Sequence, residues 1–312
     1  LLQFKQGLAT LDPVGVPIIS ETFPGNRADD VCYLPAWRRM TQTIGSPDFL
    51  FVADCKAASQ EVRSTISHEK GFYLFPLPMT GDTRTHLKEW VLNPDQTTQD
   101  IVLDPNQEDD EPRKVGKGFV VHQTREAVLE NGATYQWQEQ CMVTCSDAHA
   151  QRQEKSLIER LEKTESKLSK LKPKKQDTVE SFRIKAERIA ETYNVEDYLR
   201  LEVTEEVTMT KKYTRKGRPG SNTPFEMVEI RNLTLTTSRN QDAISEFRAL
   251  SGWRIYVTNM DETRMTLTQS TRYYRDEWQV ERGFHRFKKG HIPVLPLFLR
   301  IPERIKGLMV LM

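Results

Sequence analysis

Cysteine is scarce: four thiols in 312 residues. That is too few for a disulfide framework and points to a reduced, cytoplasmic compartment. Long apolar runs are missing too. Val294–Leu299 and Leu308–Met312 are the longest, and Pro296 interrupts the first. Neither approaches the roughly 18 residues of a membrane span. Leu1–Gly7 already carries Gln and Lys, so it does not read as a signal peptide. No initiator Met opens the chain, which suggests a missing N-terminal part. A phosphate-cradling glycine loop, a nucleophile elbow and an HExxH helix are all absent.

Net charge is nearly absent as well, with 45 Lys plus Arg against 44 Asp plus Glu. Such balance ordinarily argues against a nucleic-acid partner. The sum hides segregation. Asn93–Pro112 carries Asp95, Asp100, Asp104, Glu108, Asp109, Asp110 and Glu111 without a base before its Arg113 neighbour. Lys211–Arg218 carries Lys211, Lys212, Arg215, Lys216 and Arg218, and Thr271–Met312 is again basic. Local sign therefore matters more than the total. Thirteen Phe, nine Tyr and five Trp supply a core, which excludes a wholly disordered chain.

The first segment reads as mixed α/β. Leu1–Leu11 and Val16–Phe23 are strands around Asp12-Pro13-Val14-Gly15. Ala28–Ile44 is a helix with Val31, Leu34, Trp37 and Met40 on one face, and Pro35 in its first turns. Phe49–Ala53 is a continuous apolar run, the pattern of a strand covered on both faces. Ala58–His68 is a helix and Phe72–Phe75 a strand. The grammar then changes. Asn93–Pro112 reads as an exposed acidic loop, Phe119–Gln123 and Ala133–Cys145 as antiparallel strands. Gln151–Leu171 and Ser181–Tyr193 form an αα-hairpin, with Leu157, Leu161, Leu168 and Leu171 in a coiled-coil-like pattern. Leu199–Tyr213 and Met227–Thr237 are strands flanking the basic turn. Arg254–Thr258 returns to buried-strand character, Arg272–Lys289 is a strong helix, and Pro302–Met312 a terminal one. The expected organisation is an α/β core over 1–77 and 251–312, interrupted by a mostly β insertion over 78–250 with its helical hairpin near 151–193.

Two acids stand out by position. Asp54 closes the apolar strand, where open α/β sheets place ligands; alternatively it only caps the next turn. Glu281 lies beside the apolar stripe of Val280, Phe284 and Phe287 at 100° per residue, with Tyr274, Glu277, His285 and Lys288 on the same border. That border is either a cleft wall or a solvated flank with ordinary ion pairs. A strand-end Asp converging with a helix Glu suits hard divalent cations and two-metal phosphoryl transfer. Cys141-x3-Cys145-x3-His149 fits no usual structural zinc spacing. The basic turn is a DNA clamp or a solvated hairpin tip. Trp90, Trp137 and Trp253 are core residues or stacking platforms for an unpaired base.

The run Tyr274-Arg275-Asp276-Glu277-Trp278-Gln279-Val280-Glu281-Arg282-Gly283-Phe284-His285-Arg286-Phe287-Lys288 resembles the tyrosine–arginine–glutamate–lysine signature of DDE transposases from bacterial insertion sequences. Tyr274, Glu281 and Lys288 match; Glu277 stands at the arginine position. Phe51–Lys56, Gly15–Ile18, Pro24–Asp29, Lys216–Pro219 and Ile255–Asn259 are similar to further segments of that family, in order, over most of the chain. The resemblance implies an RNase H-like fold and Mg²⁺- or Mn²⁺-dependent strand cleavage and strand transfer. Asp54 and Glu281 would be catalytic metal ligands. Tyr274, Lys288, Arg275, Arg282, Arg286 and Lys289 would hold DNA backbone, with Lys211, Lys212, Arg215, Lys216 and Arg218 contributing from the turn. Implied partners are transposon-end and target DNA and a second copy in a homodimer on DNA, the protein being cytoplasmic and nucleoid-associated. The family's first Asp lies on a strand before Leu1–Leu11, so a truncated chain, inactive alone, is expected. The alternatives are a non-catalytic DNA-binding remnant that interferes with full-length transposase, or a related RNase H-like nuclease.

Overall fold

A computed structural model describes residues 3–104, 112–129, 132–213, 224–276, 280, 284–285, 299 and 301–311. The chain divides into two compact units, Leu1–Asp147 with Gly252–Met312, and Ala148–Ser251.

In the first unit, β1 (Phe4–Leu11) and β2 (Val16–Pro24) form an antiparallel hairpin. One 3₁₀ turn (Asp30–Cys32) leads into α1 (Tyr33–Ile44), shorter at its start than the expected 28–44. Pro35 explains this: it tolerates only the first helical turn. Leu34, Trp37 and Met40 are buried as the spacing predicts, whereas Val31, in the 3₁₀ turn, is exposed. Gly45 ends the helix at φ 81°, where a side chain would be strained, and returns its N–H to Thr41 O. β3 (Leu50–Val52), α2 (Gln60–His68) and β4 (Phe72–Pro76) follow as a parallel strand–helix–strand unit. β3 is a short edge strand with only Phe51 buried, rather than a strand covered on both faces. After α3 (Asp82–Val91) come β5 (Gln99–Leu103), β6 (Arg113–Val128) and β7 (Thr134–Ser146).

The acidic segment is therefore no simple loop. Its Gln99–Leu103 stretch pairs with β6, held by the fully buried Ile101. β5–β7 also do not stand apart from the core strands. With β10 (Trp253–Thr258) they complete a six-stranded mixed sheet in the order β3-β4-β10-β7-β6-β5. The compact second unit begins at Ala148. Two glycines govern how closely β6 meets its surroundings. A Cβ on Gly116 would fall 1.9 Å from Cys145 O, and one on Gly118 2.4 Å from Val143 O and 2.9 Å from Leu267 Cδ2. Gly118 thus admits α7 (Leu267–Arg275) onto the sheet, where Leu267 joins Leu74, Ile101, Met142, Tyr256, Met260 and Met265. α7 opens with a reciprocal cap between Thr266 and Gln269 and ends at Arg275, not 289; of the expected continuation only Val280, Phe284 and His285 are described, all helical. α8 (Pro302–Leu311) buries Met309, whose carbonyl accepts from Ser20 Oγ of β2.

A buried charge knot ties α2 to the sheet. The Glu139 side chain on β7 has no solvent exposure. It accepts from Arg63 Nη1 of α2 at 2.6 Å to both oxygens, from Arg125 Nε at 2.9 Å and from the Tyr73 hydroxyl at 2.5 Å. Trp137 Nε1 in turn donates to Tyr73 Oη at 2.9 Å. Burial and the Glu139 charge push the Tyr73 phenol far up, so it stays a donor.

The second unit joins the helical hairpin of α4 (Asp147–Leu168) and α5 (Val179–Thr192) to the ribbon β8 (Leu199–Tyr213) with β9 (Phe225–Arg239), and ends in α6 (Gln241–Leu250). Leu157, Leu161 and Leu168 of α4 pack on Ala186 and Ala190 of α5, with Val195, Leu199 and Ile244. Thr178 and Ser181 cap α5 reciprocally. No described helix is long and apolar enough to cross a membrane.

Removing one partner from the knot strands a buried charge. Glu139→Gln is expected to cost about 3 kcal/mol of unfolding free energy, read from denaturant titration. A loss below about 1 kcal/mol would show that Arg63 and Arg125 find solvent without it.

Candidate functional site

Asp54 lies just past the end of β3, in extended backbone at φ −74° and ψ 177°. Its Oδ1 accepts the Lys56 amide at 2.9 Å, capping the 3₁₀ turn Cys55–Ala58 as the plainer reading of the sequence foresaw. The same oxygen also accepts the Tyr33 hydroxyl at 2.6 Å. Among the described residues Oδ2 takes no hydrogen bond. Asp54 as a residue is half-buried. Burial first, then the Asp54 hydrogen bond, raises the Tyr33 phenol well above its ordinary range. Tyr33 therefore remains a donor at any working pH and fixes which Asp54 oxygen is engaged.

Asp29 lies next to this pair. Its carboxylate bridges Lys5 Nζ at 2.5 Å and Lys56 Nζ. Those hydrogen bonds bring its pKa down to about 2, and Asp29 in return raises that of Lys56. Lys5 Nζ donates also to Arg27 O at 2.5 Å. One acid is thus neutralised by two lysines, while Asp54 has only neutral donors. The sequence did not single out Tyr33, Lys5 or Asp29 as companions of Asp54. The only available signal was the run Pro24–Tyr33, whose turn and helix start deliver Asp29 and Tyr33 to the same strand end.

Asn259, just past β10, braces the other end of β4. Its Nδ2 donates to Gly71 O at 2.9 Å and its Oδ1 accepts from the Tyr73 amide at 3.1 Å. Tyr274 sits on α7 with its ring 4.8 Å from that of Tyr256, tilted 53°, at the margin of the apolar core. Arg275, the last residue of α7, is exposed. Glu281, Arg282, Arg286, Lys288 and Lys289 lie outside the described residues, as do Arg215, Lys216 and Arg218. Lys211 and Lys212 end β8 and are exposed; Lys211 Nζ lies 4.5 Å over the Phe225 ring, and Lys212 faces Glu226 across the ribbon.

Among the described residues no three His, Cys, Asp or Glu side chains cluster as metal ligands would. Cys141 and Cys145 are buried thiols pushed up to about 11 by burial, hence protonated. Trp137 and Trp253 are buried in the first unit, and Trp90 stacks on His86 at 5.5 Å.

The family model described as "Transposase DDE domain" matches residues 4–293. The chain belongs to that family, the DDE transposases. No curated protein matches it.

The lysine bridge gives a pH dependence of known sign. Asp29 titrates lower in the fold than its ordinary value near 3.8, so its contribution is present above about pH 4 and lost as pH falls toward about 2. Asp29→Asn should flatten the acid limb of unfolding stability across that window. An unchanged limb would mean that the bridge does not persist in solution.

Proposed function

We propose that this chain serves DNA strand cleavage and strand transfer by the complete transposase of an insertion sequence, on an RNase H-like core. The observation that carries the reading is Asp54, held by Tyr33 and Lys56 through one oxygen with the other left for a ligand. The parallel β3–α2–β4 unit beside the β1–β2 hairpin supports the RNase H-like assignment.

Asp54 suits a divalent cation by its chemistry: a hard, anionic oxygen on a rigid strand end, hydrogen-bonded by a hydroxyl and an amide. Asp54 and Glu281 would hold Mg²⁺ or Mn²⁺, which when bound activates an attacking oxygen and stabilises the leaving one on phosphorus. The chain's own work is positional. Tyr33 keeps the Asp54 carboxylate from rotating, and the Lys56 amide holds it against the turn. The Asp29 bridge anchors Lys56, and with it the turn that Asp54 caps. Tyr274, Arg275, Arg282, Arg286, Lys288 and Lys289 serve the DNA backbone next to the cut, and the bases of 211–218 hold phosphates further along. Each phosphate contact fixes position without reading sequence. Two copies act on paired element ends, as strand transfer from both ends into one target requires.

The test is nicking of an element-end duplex by the full transposase polypeptide with Mg²⁺ or Mn²⁺. Asp54→Ala and Glu281→Ala should each reduce nicking to background while duplex affinity stays within about threefold. Normal cleavage by either variant would overturn the site; binding without any cleavage in the parent would favour a non-catalytic DNA-binding remnant. Tyr33→Phe keeps the ring and should lower the cleavage rate without abolishing it. Reversing Lys211, Lys212, Arg215, Lys216 and Arg218 should weaken binding and reduce the slope of log K against log salt by about 0.9 for each phosphate no longer neutralised. An unaltered slope would take the turn off the DNA surface.

A further inference from the structure

The ribbon of the second unit has an unusual amount of unpartnered apolar surface. Among the described residues its sheet has two strands, so the outer edge of β8 carries no neighbour strand. From Glu205 to Tyr213 every β8 residue is exposed. On one face of the ribbon Val207, Met209 and Tyr213 are 50%, 59% and 40% exposed, with Arg231, Glu229, Met227 and Phe225 of β9 opposite Val207, Met209, Lys211 and Tyr213. An isolated two-stranded ribbon is marginal in water, and a long free edge with an apolar face invites another strand.

We propose that the outer edge of β8 pairs antiparallel with the same edge of a second copy of the chain, about a two-fold axis at Thr208. The argument is self-complementarity in one register. A two-fold pair of antiparallel strands keeps each face on its own side, so odd residues meet odd and even meet even. With Thr208 at the axis, Val207 meets Met209 of the other copy, Glu205 meets Lys211, and Val203 meets Tyr213. Each of these pairs occurs twice. On the other face Glu206 meets Thr210, Thr204 meets Lys212, and Thr208 meets itself. No charged side chain faces an apolar one. Shifting the axis to Val207 sets Lys211 against Val203 and Glu205 against Met209. Shifting it to Met209 sets Lys211 against Val207 and Glu205 against Tyr213. Opposite charges directly across a strand pair stabilise, and a charge against an apolar side chain forfeits both terms, so the Thr208 register is selected.

The charges also account for the choice of partner. Lysines on an edge ordinarily repel strand addition. Here an acid at the mirrored position turns Lys211 into a contact, and another β8 presents that acid at the required spacing. Among the described residues Glu205 approaches Arg231 at 3.9 Å, a distance that leaves it able to take a second cation. The four-stranded sheet so formed would set Val207 and Met209 of both copies side by side on one face. The association needs no DNA and is independent of the catalytic reading.

The test is sedimentation of the full chain without DNA over a dilution series. A reversible dimer of micromolar affinity is expected, in keeping with the small end of interface sizes. Glu205→Lys and Lys211→Glu should each weaken it at least about tenfold, and the double exchange should restore it to within about threefold, because the pair re-forms with its signs swapped. In a Cys32→Ser, Cys55→Ser background, Thr208→Cys should cross-link two copies under mild oxidation. Thr204→Cys, which meets Lys212 rather than itself, should not. A chain that stays monomeric at about 100 μM, far above a micromolar constant, would overturn the proposal. So would a dimer indifferent to the charge exchanges, or equal cross-linking at 204 and 208. The cysteine pair keeps the test decisive if a charge variant misfolds, since neither threonine is buried.

Discussion

A carboxylate with no access to water needs its charge met inside the protein. Glu139 meets it with two guanidinium groups and a phenol, and those donors come from α2, β6 and β4. The strand–helix–strand unit that carries Asp54 at its mouth is thereby tied to the far strands of the sheet. Burying such a group costs more solvation than its ion pairs return in net stability, but it permits very few arrangements of the parts. The position of α2 follows from it, and with α2 the spacing of β3 and β4. Asn259 adds a second tie, from the end of β10 to the start of β4.

The same economy of charge distinguishes the two acids near the β3 end. Asp29 is neutralised by Lys5 and Lys56 and does structural work. Asp54 receives an amide and a hydroxyl, donors that orient a carboxylate without cancelling its charge. A ligand for a hard cation has to keep its charge and hold its direction, and only the second environment provides both. Family membership then supplies the chemical context in which such a carboxylate is used.

The second unit is built on a different balance. Its helical hairpin and the base of the ribbon close a conventional leucine–alanine core. Beyond that core the ribbon carries valine, methionine and aromatic side chains into solvent.

Much of this was legible in local pattern. The three-residue spacing of Leu34, Trp37 and Met40 gave α1, the leucines of 157–168 gave α4, and alternation gave the ribbon, because a helix or strand buries one face and its period shows in the chain. Asp54 was legible because an acid that ends an apolar run is conspicuous. What escaped was decided by contacts distant in sequence. Ile101 makes a strand of an acidic stretch only because β6 is there to receive it. Glu139 looks like any polar residue of an alternating strand until Arg63, seventy-six positions away, is folded against it. Tyr33 becomes the partner of Asp54 only when α1 is laid beside β3. Periodicity is a property of neighbours along the chain and survives in the sequence; which charge meets which hydroxyl is a property of neighbours in space, and that is created by packing.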